Sequence, residues 1–312
     1  MAKSKIAQKH FHEEDAARAW FEAARWPDGP ICPNCGSLKH YATKKTGRYR
    51  CGEPECRKDF TVQTKTVMER SHSPLTHWAY AFTVAADGKK GFSAHQLARQ
   101  LGCQYNTAWF LHHRVMEAMR RGGLEPPLGQ GGKIVEADET YFGNVPEAKR
   151  PTKTTKGHTF TKGGRSGPSG KRAIVALVER GGDVRAFHVA VATQQTVEEI
   201  LKKNVARETR LHTDESRLYH WIGEHVASHE TVKHSVGEYV RGDVHTNTIE
   251  GYFSIFKRGM KGVYQHCAEK NLHRYLAEFE FRYNTRKITD GERAVLAVRG
   301  GEGKRLTYRQ PH

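Results

Sequence analysis

No apolar run in this chain approaches the ~20 residues that a membrane-spanning helix needs. No basic amphipathic helix with a wide apolar face stands out either, so a membrane surface is not the expected partner. The opening stretch MAKSKIAQKHFHEEDAARAW turns charged at once and holds no apolar segment of signal-peptide type, which makes cytoplasmic residence the expectation. Internal repeats are absent. Acids are in deficit: 34 Asp and Glu face 51 Lys and Arg, a net charge of +17. That balance is silent on fold but argues for a polyanionic partner, of which nucleic acid is the commonest. Hydrophobic residues at 37% and aromatics at 10% of 312 residues suit a folded protein of two or three modest domains.

Residues 11 to 25 carry Phe11, Ala17, Trp20, Phe21 and Ala24 at helical spacing. Trp26-Pro27-Asp28-Gly29-Pro30 ends that helix with turn chemistry. A short cysteine-bearing module follows, and helical pattern returns from Ser73 to Arg121. The character changes at Gly132, where Lys133 to Tyr141 reads as a strand. Residues 144–172 lack apolar periodicity and hold eight Lys or Arg against one acid, Glu147, the composition of a basic flexible loop. AIVALVE and VRAFHVAV flank Arg180-Gly-Gly-Asp183, a hairpin signal. Further on, the pattern predicts a helix over Thr196–Arg207, a strand over Arg210–Asp214 and another over Thr231–Val236. Helices are predicted over Asn247–Lys257 and Leu272–Arg286. The order describes a mixed α/β domain.

Of the six cysteines, four lie close together as Cys32-Pro-Asn-Cys35 and Cys51-Gly-Glu-Pro-Glu-Cys56. Two close pairs separated by a hairpin-sized span supply four thiolates for one structural Zn²⁺. Gly36 and Gly52 suit the tight turns such ligands require. Two disulfides are the competing reading, disfavoured without a secretory signal. Cys103 and Cys267 lie alone in apolar-periodic stretches and read as buried residues.

The stretch from Gly91 to Trp109 fits a helix-turn-helix. Ser93 caps a first helix that buries Leu97, Ala98 and Leu101, Gly102 permits the turn, and a second helix starts near Tyr105. On that reading Gln104, Tyr105, Asn106 and Thr107 lie at the major groove, with His112, His113 and Arg114 nearer phosphate. An ordinary helical hairpin is the plainer alternative.

Three acids fall where an α/β domain brings them together. Asp138 lies in the apolar strand IVEADETYFG, where an acid is costly without a partner. Asp214 ends the strand RLHTD, and Glu250 lies in the first turn of the helix starting near Asn247. Such acids converge at one end of a sheet, able to hold two Mg²⁺ or Mn²⁺ ions about 3.5–4 Å apart for in-line phosphoryl transfer. Asn247, Ser254 and Lys257 share a helix face with Glu250, which lets Lys257 meet a phosphate near the metals. Each acid has a duller reading: Asn247 with Glu250 as a capping box, Asp214 as a helix N-cap, Asp138 as a turn residue.

These residues resemble the bacterial insertion-sequence transposases of the DDE type, the ISXO-like group with an N-terminal zinc ribbon. The marks are Trp26-Pro-Asp-Gly, Cys32-Pro-Asn-Cys35, Glu136-Ala-Asp138-Glu-Thr-Tyr141, Thr213-Asp214-Glu-Ser, His245-Thr-Asn247-Thr-Ile-Glu250-Gly-Tyr-Phe253, Lys257, Tyr275-Leu-Ala-Glu-Phe279 and Phe281-Arg-Tyr-Asn284. The resemblance implies an α/β, RNase H-like catalytic domain, a mixed sheet flanked by helices, preceded by the zinc ribbon and the helix-turn-helix module. It implies Asp138 on the first strand, Asp214 on the fourth and Glu250 on the helix after the fifth as metal ligands, with Asn247 in support or as a substitute ligand. The expected domains are an N-terminal helix over 1–26, the ribbon over 27–66, the helix-turn-helix module over 72–125, the catalytic domain over 130–290 and a tail over 291–312. Double-stranded DNA, as element ends and target, is the implied partner, bound in a homo-oligomeric synaptic complex in the nucleoid. Lys149, Arg150, Lys153, Lys156, Lys162, Arg165, Lys171 and Arg172 of the basic loop would track phosphates, joined by Lys257 and Arg258. The implied activity is cleavage of terminal inverted repeats and joining of the freed 3′-hydroxyl to target DNA. An RNase H-like nuclease and a DNA-binding regulator without catalysis are the alternatives.

Overall fold

A computed structural model describes residues 7–122, 125–143 and 171–307. They fall into two compact units, Met1–Gly122 with Ala277–His312, and Gly123–Leu276. No helix of the described residues is long and apolar enough to cross a membrane.

In the first unit a single turn, Lys9–Phe11, leads into α1 (Glu14–Arg25), which opens on Glu14 and Asp15 and buries Ala17, Phe21 and Ala24 at helical spacing. A three-stranded antiparallel sheet follows, made of β1 (His40–Ala42), β2 (Tyr49–Cys51) and β3 (Asp59–Phe60). Arg25, buried, ties α1 to it by donating to the Val62 carbonyl at 2.5 Å. Next come α2 (Leu75–Asp87), α3 (Ala94–Leu101) and α4 (Tyr105–Met119). Ser93 caps α3 by accepting from the Gln96 amide, and Gly102 ends it at φ +62°, a left-handed conformation glycine adopts without strain. The region expected to be a tail, 291–312, instead contains α8 (Asp290–Gly300). Its start is fixed by a capping box between Thr289 and Glu292, and it buries Ala294, Ala297 and Val298. Phe21, Trp78, Phe82, Leu97, Val115 and Ala297 share one core.

The second unit is built on five strands: β4 (Ile134–Phe142), β5 (Arg172–Glu179), β6 (Val184–Val189), β7 (Arg210–Thr213) and β8 (Ser228–Thr231). Their order is β6-β5-β4-β7-β8. The first three pair antiparallel, and β7 and β8 add in parallel. This 3-2-1-4-5 mixed sheet flanked by helices is the RNase H-like arrangement. The last strand lies three residues earlier than its predicted start: four residues at a sheet edge carry little alternation to read. Helix α5 (Gln194–Asn204), capped by Thr193, covers one face with Val197 and Leu201, which meet Val135, Ala137, Val175, Leu177 and Leu211. The other face receives α6 (Asn247–Gly259), which packs on β4 and β5 and continues into a π turn, Met260–Tyr264. Helix α7 (Leu272–Asn284) follows.

Candidate active site

Strand alternation decides which acids of β4 share a face. Glu136, Asp138 and Thr140 point one way, with Val135, Ala137 and Glu139 opposite. Glu136 pairs with His212 across β4 and β7. Extending that parallel register by two residues sets Asp214, just past the end of β7, beside Asp138. Asp138 and Asp214 accordingly converge, and a Glu139 oxygen joins them, the three carboxylates lying within 4.8 Å of one another.

The knot is held from several sides. Asp138 accepts from the Glu139 amide at 2.7 Å, and Asp214 from the Ser216 amide at 3.0 Å. Glu139 accepts from the Tyr219 hydroxyl at 3.0 Å and from the Ser216 hydroxyl at 3.3 Å, which ties it to the loop bearing Asp214. Among the described residues no Lys or Arg pairs with these three acids. Burial pushes the Asp138 carboxyl well above the usual carboxylate range, and the charges of Asp214 and Glu139 add to it. Burial likewise raises Glu139, helped by Asp214, and raises Asp214 against the Ser216 amide that favours its charged form. Converging, mutually repelling oxygens without a basic partner fit a hard divalent cation.

Glu250 stands outside this knot but borders the same space. It lines a cavity of about 750 Å³ with Asp138 and Glu139, and three cations, Lys257, Arg258 and Lys261, line it too. Ser254 and Lys257, at i+4 and i+7 from Glu250, are both at the cavity, as helix geometry requires. Burial pulls the Lys257 ammonium below its ordinary value while the Asp138 charge opposes that shift. Acids and cations lining one cavity suit a phosphodiester, whose phosphates the cations attract. Asn247 opens α6, is exposed and does not line the cavity. The capping box between Asn247 and Glu250 is not formed: Thr246 is the N-cap residue, and Glu250 accepts from its hydroxyl at 3.0 Å.

The thiols of Cys32, Cys35, Cys51 and Cys56 also converge within 4.8 Å. Burial pushes the Cys32 thiol up, yet the amides of Asn34 and Cys35 together with the thiols of Cys35 and Cys51 bring it down to about 7. Four sulfurs at that range form the donor set of a closed, structural zinc site.

The expected DNA contacts divide. Gln104, Tyr105, Asn106 and Thr107 are exposed at the start of α4. Arg114 does not face solvent. Helix α4 is buried along Leu111–Met119, so the guanidinium turns inward, donating to the carbonyls of Leu306 and Glu69 and lying over the Phe110 ring. His112 and His113 are buried with it. Arg172 is buried too, because it opens the fully buried β5, and it donates to the Cys267 carbonyl at 2.7 Å. Lys171 is half-buried, Lys257 half-buried and Arg258 exposed. Lys149, Arg150, Lys153, Lys156, Lys162 and Arg165 lie outside the described residues. Glu139 was missed because it alternates to the face opposite Asp138. Its position beside an acid within an apolar strand was the available signal.

Residues 130–284 match the ISXO2-like transposase domain family, and residues 12–59 match the transposase zinc-ribbon domain family. A protein of Halobacterium salinarum, described as an uncharacterized protein in transposable element ISH50, is 28% identical over 280 residues, covering 88% of this chain and 92% of that protein. A solved pre-cleavage Mos1 transpososome aligns over 72% of this chain and 79% of its own at 11% identity, with a TM-score of 0.19, too slight a likeness to argue from.

Proposed function

The chain belongs to the ISXO2-like transposases with a zinc ribbon, and from that membership we propose that it cuts the ends of its own mobile element and joins them to target DNA. The observation that carries the reading is the knot of Asp138, Glu139 and Asp214, the first two of which line a cavity together with Glu250 and three cations. Asp138, Asp214 and Glu250 would hold Mg²⁺ or Mn²⁺, with Glu139 supporting Asp214 through Ser216. Bound there, divalent cations lower the pKa of the attacking hydroxyl and stabilise the leaving oxyanion.

The chain's own residues supply orientation and charge. Lys257, Arg258 and Lys261 draw the flanking phosphates into the cavity and set the scissile bond against the acids. The first displacement frees a 3′-hydroxyl at the element end, and the same site takes that hydroxyl as the nucleophile on target DNA. The exposed start of α4 would read the terminal repeat in the major groove, and residues 144–172 would add salt-sensitive phosphate contacts. Zn²⁺ on the four cysteines would fold the ribbon without entering the chemistry. Two ends must meet for joining, which calls for a homo-oligomer, acting on DNA in the cytoplasm.

The test supplies a pre-cut terminal fragment with a free 3′-hydroxyl, labelled at its 5′ end, together with target plasmid and Mg²⁺ or Mn²⁺. Wild type is expected to join the two, and Asp138→Ala to bind the fragment normally without joining it. Nicking of the plasmid without joining would favour a simple nuclease. Binding with neither, at every metal tried, would favour a regulator.

A further inference from the structure

Helix α6 carries Glu250, yet it starts without a cap of its own. Thr246 occupies the N-cap position and makes no capping bond; its hydroxyl donates to Glu250 instead. Two of the orphan amides of the first turn are taken instead by Glu136 of β4, while that of Asn247 donates to His245 Nδ1 at 3.4 Å. Glu136 Oε2 accepts from the backbone N–H groups of Thr248 at 2.9 Å and Ile249 at 3.0 Å, and its Oε1 from the Thr248 hydroxyl at 2.8 Å.

Glu136 is fully buried, so its charge needs a partner. Arg180, in the turn between β5 and β6, supplies it through Nε at 2.6 Å. The same guanidinium donates to the carbonyls of Asp243 at 2.6 Å and His245 at 3.0 Å, in the segment leading into α6. One strand therefore bears Asp138 and, two residues earlier on the same face, the clamp on the helix bearing Glu250. A cap could have come from any residue at the helix's own N-terminus. Placing it on β4 links the separation of Asp138 and Glu250 to a single buried side chain.

We propose that Glu136 is a positioning residue: by gripping the start of α6 it fixes Glu250 relative to Asp138, so that the two carboxylates meet a divalent cation already in place. This rests on the reading of Glu250 as a metal ligand. Residues that hold a metal ligand in position typically cost about 10–100-fold in metal affinity when replaced. A cap that merely stabilised the fold would lower the melting temperature and leave cation affinity alone.

The experiment is a double-mutant cycle on the full-length chain. Mn²⁺ affinity is read by electron paramagnetic resonance, and folding by circular dichroism, for wild type, Glu136→Gln, Glu250→Gln and the double variant. Both single variants are expected to bind Mn²⁺ about tenfold more weakly, and the double variant no more weakly than Glu250→Gln. Full Mn²⁺ affinity in Glu136→Gln, with Glu250→Gln weakened, overturns the positioning role and leaves the ligand reading intact. Losses that multiply in the double variant also overturn it. Full affinity in Glu250→Gln overturns the ligand reading and the positioning role together. Should Glu136→Gln not fold, Glu136→Asp, which keeps the charge for Arg180 but has a shorter reach, is judged by the same criteria.

Discussion

A carboxylate held in a buried strand beside two others titrates late, and this separates what Asp138 does for folding from what it does for a cation. Asp138, Glu139 and Asp214 are all raised in the folded chain. Groups shifted that way contribute stability below their unfolded values and lose it as pH rises through the folded ones. The metal-free protein is therefore strained once all three are ionised, and it should gain stability as pH falls through their raised folded values toward the ordinary carboxylate range. Asp138→Asn keeps the shape and removes the repulsion. We expect its metal-free melting temperature at neutral pH to exceed wild type by about 2–4 °C, corresponding to about 1 kcal/mol. Mn²⁺ should raise the melting temperature of wild type and not of the variant. Calorimetric scans with and without Mn²⁺ check this, and a destabilised Asp138→Asn would contradict the strain described here.

At the level of elements, α4 shows how one helix divides its labour along its length. Its first turn is exposed, whereas the stretch from Leu111 to Met119 is buried. Asn106→Ala should therefore leave the melting point unchanged and weaken binding to the terminal repeat by about 1–3 kcal/mol, with little effect on unrelated DNA. Arg114→Ala should do the reverse, because it removes a guanidinium packed on Phe110 and leaves the carbonyls of Leu306 and Glu69 without that donor. Thermal denaturation and fluorescence anisotropy on the two DNAs distinguish these outcomes. The start of α4 was legible because Ser93, Leu97, Gly102 and Tyr105 each do a local job at a fixed spacing. Arg114 was not, since its partners at Glu69 and Leu306 are remote in sequence. The same holds in the sheet. The alternation around Asp138 and the Gly-Gly hairpin announce β4, β5 and β6, and the acids follow from an apolar strand at 138 and a strand end at 214. Edge strand β8 is too short to declare its register. Glu136 stood in the Glu136-Ala-Asp138 motif, but its role depends on Thr248, Ile249 and Arg180, which only the folded chain brings to it. Helix α8 hid behind a Gly- and Arg-rich C-terminal composition, although Thr289 and Glu292 are a legible capping pair.

For the whole molecule, the net charge of +17 sets a field that no single contact accounts for. Affinity for duplex DNA drawn from such a field falls steeply with salt, the logarithm of the binding constant changing by about −0.9 per logarithm of salt for each phosphate neutralised. Six of the basic residues in question, from Lys149 to Arg165, are packed into a run with Glu147 as its only near acid. If that run tracks phosphates, replacing Lys149, Arg150, Lys153 and Lys156 by Ala should flatten the salt slope by about 0.9 for each contact removed. The loss should be nearly equal on terminal and unrelated DNA, since phosphate carries no sequence. Anisotropy titrations from about 50 to 200 mM salt span the range in which a protein with 6–10 such contacts loses about 10³–10⁵ in affinity. An unchanged slope would move the electrostatic footprint onto the rest of the chain. A loss confined to terminal DNA would make the segment a reader of sequence, and the division of work between it and α4 would have to be redrawn.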